Sequence, residues 1–210
     1  MSRLNRCALW GVLLLPVMAC SGRDDTDAGA AMDRLDGGTA QVAKRAAPSA
    51  STDQIGIVQA RIDDEDRTWL TLSRKVDGQT SSTAVYVQSG QLGMVNIDAF
   101  PEPAFSTTGI FQVKLLFGGR PALGKSPAVV TISHFPGTAT EREPYWTSDS
   151  SGSPGQAALE TFEIDGDAGR AAGTFSGRIC LRENADADPD KGNCKAVSGR
   201  FETDMAVRVQ

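Results

Sequence analysis

The chain has 210 residues, a formal net charge of −5 and a single histidine. That length suits one ordinary domain with an adequate core. The acidic balance excludes nucleic acid as a partner, because phosphates require a basic face, and a single histidine excludes the multi-histidine ligation common at catalytic zinc.

Arg3 and Arg6 give a positive start, and Cys7 to Ala19 then runs without a charge. A membrane-spanning helix needs about 20 apolar residues, whereas export-signal cores use about 7–15. The run falls in the second range and predicts a signal peptide over residues 1–19, with small Ala19 placed for a peptidase pocket. The closing tetrapeptide Val17-Met18-Ala19-Cys20 resembles the lipobox of bacterial lipoproteins. The resemblance implies that Cys20 receives a diacylglyceryl group and, after cleavage, an acyl chain such as palmitate. Each buried methylene stabilises anchoring by about 0.8 kcal/mol, so several chains hold a protein durably. Ser21 stands where aspartate would imply inner-membrane retention in related proteins. The resemblance therefore implies an outer-membrane anchor facing the periplasm, and a membrane partner through lipid. Loss of Arg3 and Arg6 with the leader leaves the remainder more acidic still.

Residues 20–54 carry few large aliphatic side chains, chiefly Met32, Leu35 and Val42. Such a segment cannot bury enough apolar surface to offset its ordering entropy. It reads as a disordered tether with a root-mean-square reach of about 30–35 Å. A helix near Ala30 to Ala47 is the alternative, opposed by Gly37-Gly38 and Pro48.

Residues 55–210 alternate short apolar runs with turn formers. The runs are 55–62, 68–72, 84–88, 92–99, 110–117, 128–135, 158–164, 173–181 and 195–209. Phe111, Val113, Leu115 and Phe117 share one parity, with Gln112 and Lys114 on the other. That period of two marks half-buried antiparallel strands. Asp77-Gly78, Ser89-Gly90, Pro136-Gly137 and Asp165-Gly166 supply turns. About nine strands at this spacing predict an all-β fold, a single antiparallel β-sandwich, with a closed β-barrel as the alternative.

The last hairpin has a definite expected register. If Cys180 faces Cys194, then Phe175 faces Gly199 and Phe201 faces Gly173, so each ring covers the bare backbone opposite. The cysteines would then share the polar face with Ser176 and Ser198. With Cys7 removed and Cys20 lipidated, Cys180 and Cys194 are the thiols left in an oxidising compartment, and a disulfide between them is expected.

Candidates for chemistry are sparse. Gly119 to Ser126 matches the phosphate-binding P-loop string, but Pro127 and the β-branched run Val129-Val130-Thr131-Ile132 follow it. P-loop chemistry needs a helix N-terminus there, and an exported protein meets no working ATP, so a hairpin loop without nucleotide is expected. Asp186, Asp188 and Asp190 alternate as calcium ligands do, but the loop lacks a closing bidentate glutamate. It reads as a solvated hairpin tip, with calcium the alternative and no cofactor expected. His134 near a strand end reads as structural, since no serine sits in a Gly-x-Ser-x-Gly elbow. Glu141, Glu143, Asp149, Glu160, Glu163 and Asp165 offer carboxylates whose convergence sequence cannot reveal. Arg142, Tyr145 and Trp146 form an aromatic-basic cluster in an expected loop and are the candidate contact site.

Thr68-Trp69 after Arg67, together with Gly173-Thr174-Phe175-Ser176-Gly177 and Val197-Ser198-Gly199-Arg200-Phe201, resembles uncharacterised bacterial lipoproteins with one secreted β-sandwich. The resemblance implies no activity. The expectation is a lipid-anchored, non-catalytic module that binds an envelope protein or glycan. The alternatives are a periplasmic hydrolase with a carboxylate site and a carrier of a small apolar ligand.

Overall fold

A computed structural model describes residues 51–76, 79–140, 142–149 and 154–210. The leader, Cys20, the tether up to residue 50 and the Asp77-Gly78 turn lie outside the described residues. The fold is all-β. Its eleven strands are β1 Ser51–Ile62, β2 Glu65–Val76, β3 Gln79–Ser82, β4 Ala84–Ser89, β5 Leu92–Ala99, β6 Thr108–Gly118, β7 Val129–Thr138, β8 Tyr145–Thr147, β9 Gln156–Asp165, β10 Ala168–Arg182 and β11 Asp190–Val209.

The strands form one sheet in the order β3-β2-β1-β11-β4-β5-β6-β7-β8-β10-β9, with a further pairing of β10 with β11. That sheet is folded over into two facing layers. Trp69 of β2 stacks on Phe111 of β6 at 4.6 Å, Phe175 of β10 meets Phe111 at 5.6 Å, and Tyr86 of β4 meets Phe162 of β9 at 5.2 Å. None of these strand pairs shares a backbone ladder, so the contacts cross between layers. The first layer holds β3, β2, β1, β11, β10 and β9, and the second holds β4 to β8. Two long strands join them. The last residues of β11 pair with β4, and the last of β10 pair with β8. The expected sandwich is therefore one continuous sheet, because a 20-residue and a 15-residue strand are long enough to turn from one layer into the other.

All nine expected strands are present, and two were not foreseen. β3 is four polar residues that exist by pairing with β2, and β8 is three residues held between β7 and β10. β1 begins at Ser51, in the stretch expected as tether, because Ser51 to Gln54 pair with Lys75 to Leu72 of β2. The β11–β4 pairing is parallel, unlike the rest.

The alternation of side chains places Val58, Ile97, Phe111, Val113, Leu115, Phe117, Ile132, Phe175 and Phe201 at 0–2% exposure between the layers. The last hairpin has the expected register, with Phe175 opposite Gly199, Phe201 opposite Gly173 and Cys180 opposite Cys194. A Cβ on Gly199 would lie 2.6 Å from the tip of the Phe175 ring and 2.3 Å from the Gln59 carbonyl oxygen. Only glycine fits there. Several polar groups inside the fold are paired: the Thr71 and Thr203 hydroxyls lie 2.7 Å apart, and Trp69 Nε1 donates to the Gly109 carbonyl at 2.8 Å, whereas Asn96 Oδ1 and Arg182 Nε are buried without a hydrogen-bond partner.

Candidate functional site

Where the core face of a strand is apolar, its alternate residues look outward, and on the first layer these line up across five strands. One row runs Thr68, Gln59, Arg200, Thr174 and Ala158 through β2, β1, β11, β10 and β9. The next runs Asp66, Arg61, Ser198, Ser176 and Gln156 through the same strands. Together with Arg67 these rows line an open trough of about 830 Å³.

The trough is polar and charge-bearing. Arg61 donates from Nε and Nη2 to both Asp66 carboxylate oxygens, at 3.1 and 3.3 Å. Arg200 donates from Nε to Gln59 Oε1 at 2.8 Å, and among the described residues its terminal nitrogens have no hydrogen-bond partner. Arg67 is engaged by Glu65. Asp66 is the single carboxylate among the lining residues, and it is already ion-paired. Arg178 stands exposed on the same face, two residues beyond Ser176. Farther along the strands the sign reverses at Glu202, Asp204 and Glu163, against Arg170 alone.

A smaller cavity of about 270 Å³ lies at one end of the sandwich, lined by Ile62, Asp63, Asp64, Glu65, Arg67, His134 and Lys195. His134 is buried in β7, and burial first, then the charges of Arg67 and Lys195, lower its pKa to about 4. The Arg67 guanidinium, by its hydrogen bond and its charge, holds Glu65 below the ordinary carboxylate range. Asp63 Oδ1 accepts a hydrogen bond from the Ala196 amide at 3.1 Å. A general acid at neutral pH needs a carboxyl raised in pKa and a general base needs a group near 7. Here Glu65 and His134 are displaced the other way.

The residues singled out from sequence are distributed as follows. Cys180 and Cys194 form a disulfide. Cys180 has the outward parity of Ser176 but is 1% exposed, at the end of β10 that pairs with β8. Tyr145 and Trp146 lie on β8 and not in a loop: Tyr145 is buried against Phe135 at 4.9 Å, and Lys195 Nζ sits 4.2 Å over the half-buried Trp146 ring. Arg142 is exposed and lines a wide hollow with Asn184 and Asp186, apart from those two rings. Asp186, Asp188 and Asp190 do not converge; among the described residues no group of three or more His, Cys, Asp or Glu is placed to hold a metal ion. Instead Asn184 Oδ1 accepts from the amides of Asp186 and Ala187, and Asp190 Oδ1 accepts from Gly192, so local turns shape that tip. The stretch from Gly119 to Ser126 joins β6 to β7, and the element after it is a strand. Lys125 there donates to the Gly118 carbonyl at 2.7 Å.

Of the remaining carboxylates, Asp149 pairs with Arg182 at 3.2 Å and Glu143 accepts from the Thr138 amide at 3.1 Å. Glu160, Glu163 and Asp165 are exposed on β9, and Glu141 lies outside the described residues. The trough itself was not singled out from sequence. Its signal was present in the polar parity of Ser176, Ser198 and Arg200, but bringing β1, β2 and β9 alongside requires the sheet order. No protein-family model, curated protein or solved structure matches the chain.

Proposed function

We propose that the chain is a lipid-anchored protein of the bacterial cell envelope, whose β-sandwich binds an envelope protein or glycan without transforming it. The trough is the contact surface, and it carries the reading. It offers the hydroxyls of Thr68, Thr174, Ser176 and Ser198, the Gln156 amide and the free nitrogens of Arg200 along an open channel. Its one carboxylate is neutralised by Arg61, which argues against paired-carboxylate hydrolysis. The space between the layers is filled by stacked rings, which argues against a carrier of apolar ligands. The anchor rests on the lipobox resemblance at Cys20.

Radioactive palmitate should label the full chain in cells and leave Cys20→Ser unlabelled; an unlabelled wild-type product in the soluble fraction defeats the anchor. A photo-crosslinking residue at Ser176 should capture an envelope component in intact cells, and one at Phe105 should not. Arg200→Glu should weaken binding to isolated envelope fractions, whereas Trp146→Ala should not. Loss with Trp146→Ala alone would move the contact to β8, and turnover of an envelope polymer by the purified chain would replace the binding reading with a hydrolase.

A further inference from the structure

The outward face of the second layer is polar at one end and apolar at the other. Strand pairing aligns Arg208, Val87, Met94, Leu116 and Val129 in one row across β11, β4, β5, β6 and β7. Of the six large hydrophobic side chains exposed among the described residues, five belong to this end. Met94 is 36% exposed, Val129 41%, Leu92 53%, Leu123 61% and Val209 74%. Leu92 begins β5 and pairs with Gly118, Leu123 stands in the β6–β7 connection, and Val209 ends β11 beside Gln88. Phe105, the sixth, is in the β5–β6 connection at the opposite end.

Cations frame this apolar surface. Arg120 and Lys125 flank Leu123, Lys114 stands in the neighbouring row between Asn96 and Thr131, and Arg208 closes the apolar row itself. The ion pairs among the described residues involve none of these four. The nearest carboxylates by register are Asp98, two residues beyond Asn96 on β5, Asp204, two residues beyond Ala206 on β11, and Asp165 and Asp167 of the β9–β10 turn, where the Asp167 carbonyl meets the Val207 amide at 2.8 Å. The chain also enters the domain here. β1 runs antiparallel to β11, with Gly56 opposite Thr203 and Ile62 opposite Val197, so Ser51 lies at the end where β11 finishes.

We propose that this apolar, cation-framed end is a bilayer-contacting surface that rests on anionic lipid headgroups. The orientation relies on the lipid-anchor reading above. Aliphatic side chains that enter the headgroup region beside lysines and arginines are the composition of an interfacial contact, and each basic residue near an anionic surface adds attraction that salt removes. A second copy of the chain fits less well, because a two-fold contact would bring the unpaired cations of both copies together. A protein hot spot is built on Trp, Tyr or Arg in a packed centre; this row has no aromatic side chain, and its one arginine, Arg208, stands at the row's end and not at its centre.

The test uses the full chain in phosphatidylcholine vesicles with and without phosphatidylglycerol, both doped with brominated lipid. Read as the difference from the parent chain, whose own tryptophans also emit, the emission of a tryptophan introduced as Leu123→Trp should fall by about half in the anionic vesicles, consistent with shallow insertion. Phe105→Trp should be unquenched, and Arg120→Glu with Lys125→Glu should restore the Leu123→Trp emission, as should high salt. Equal quenching at both positions, or none at either, overturns the proposal. A vesicle-independent dimer dispersed by Met94→Asp also overturns it and assigns the surface to a second copy. Palmitate labelling at Cys20 is read separately, so an unlabelled chain with a quenched Leu123→Trp would defeat the anchor and keep the surface.

Discussion

His134 lies edge-on to Trp69 at 5.8 Å and tilted to Phe111 at 6.3 Å. The charged groups that share its cavity are Arg67 and Lys195, with Asp63 and Asp64 of the β1–β2 turn and Glu65 at the start of β2. Its ring is held neutral in the fold down to a pKa of about 4, against an unfolded value of 6.5. The unfolded chain therefore takes up a proton over that interval before the folded one does, and stability falls as pH drops from 6.5 towards 4. The full effect is on the order of 3 kcal/mol. Urea midpoints measured at pH 7 and pH 4.5 should differ more for the wild-type chain than for His134→Gln. Parallel pH profiles for the two would show that the imidazole is not the group responsible.

At the scale of the element, the β10–β11 hairpin is the best-specified part of the chain. The Cys180–Cys194 bridge closes a loop of sequence separation 14, and such a closure stabilises by about 3 kcal/mol when the unfolded chain is the state constrained. Replacing both residues, as Cys180→Ala with Cys194→Ala, should lower the unfolding free energy by that amount in urea titrations, and an unchanged midpoint would contradict it. The register of this hairpin was legible because phenylalanine over glycine and cysteine over cysteine satisfy one pairing at once, and a slip of one residue would break all three. Strands with long alternation, such as β6, were legible for a simpler reason: Phe111, Val113, Leu115 and Phe117 all face inward at 0% exposure. β3 and β8 were not legible, since Gln-Thr-Ser-Ser and Tyr-Trp-Thr carry too little pattern and owe their form to neighbours. The bulges between Gln54 and Gly56 and between Ala172 and Gly173 were equally hidden. Tyr145 and Trp146 were expected in a loop and lie on β8 for the same reason: three residues between turn formers do not announce a strand until its neighbours β7 and β10 are known.

At the scale of the molecule, what sequence could not supply was the order of the strands. The candidate trough needs β9, distant in sequence, beside β10, and β1 and β2 beside β11; the apolar, cation-framed end needs β11 beside β4. That last pairing is parallel and short, covering Ala206 to Val209 against Val85 to Gln88, with the Gln210 amide donating to the Gln88 carbonyl at 2.9 Å. It nevertheless closes the hydrogen-bonded path from β4 through β8 and β10 back to β11. Removing residues 206–210 would open that path, strip β4 of its β11 partner and withdraw Val207, 8% exposed, from the core. An unpaired strand edge at β4 loses the protection its ladder gives. Hydrogen exchange should then accelerate at β4 amides while β1, β10 and the upstream part of β11 keep theirs, because the latter retain their antiparallel partners. Uniform acceleration across both layers would mean instead that the seam carries the stability of the whole sandwich, and exchange unchanged at β4 would mean that its pairing with β5 alone suffices.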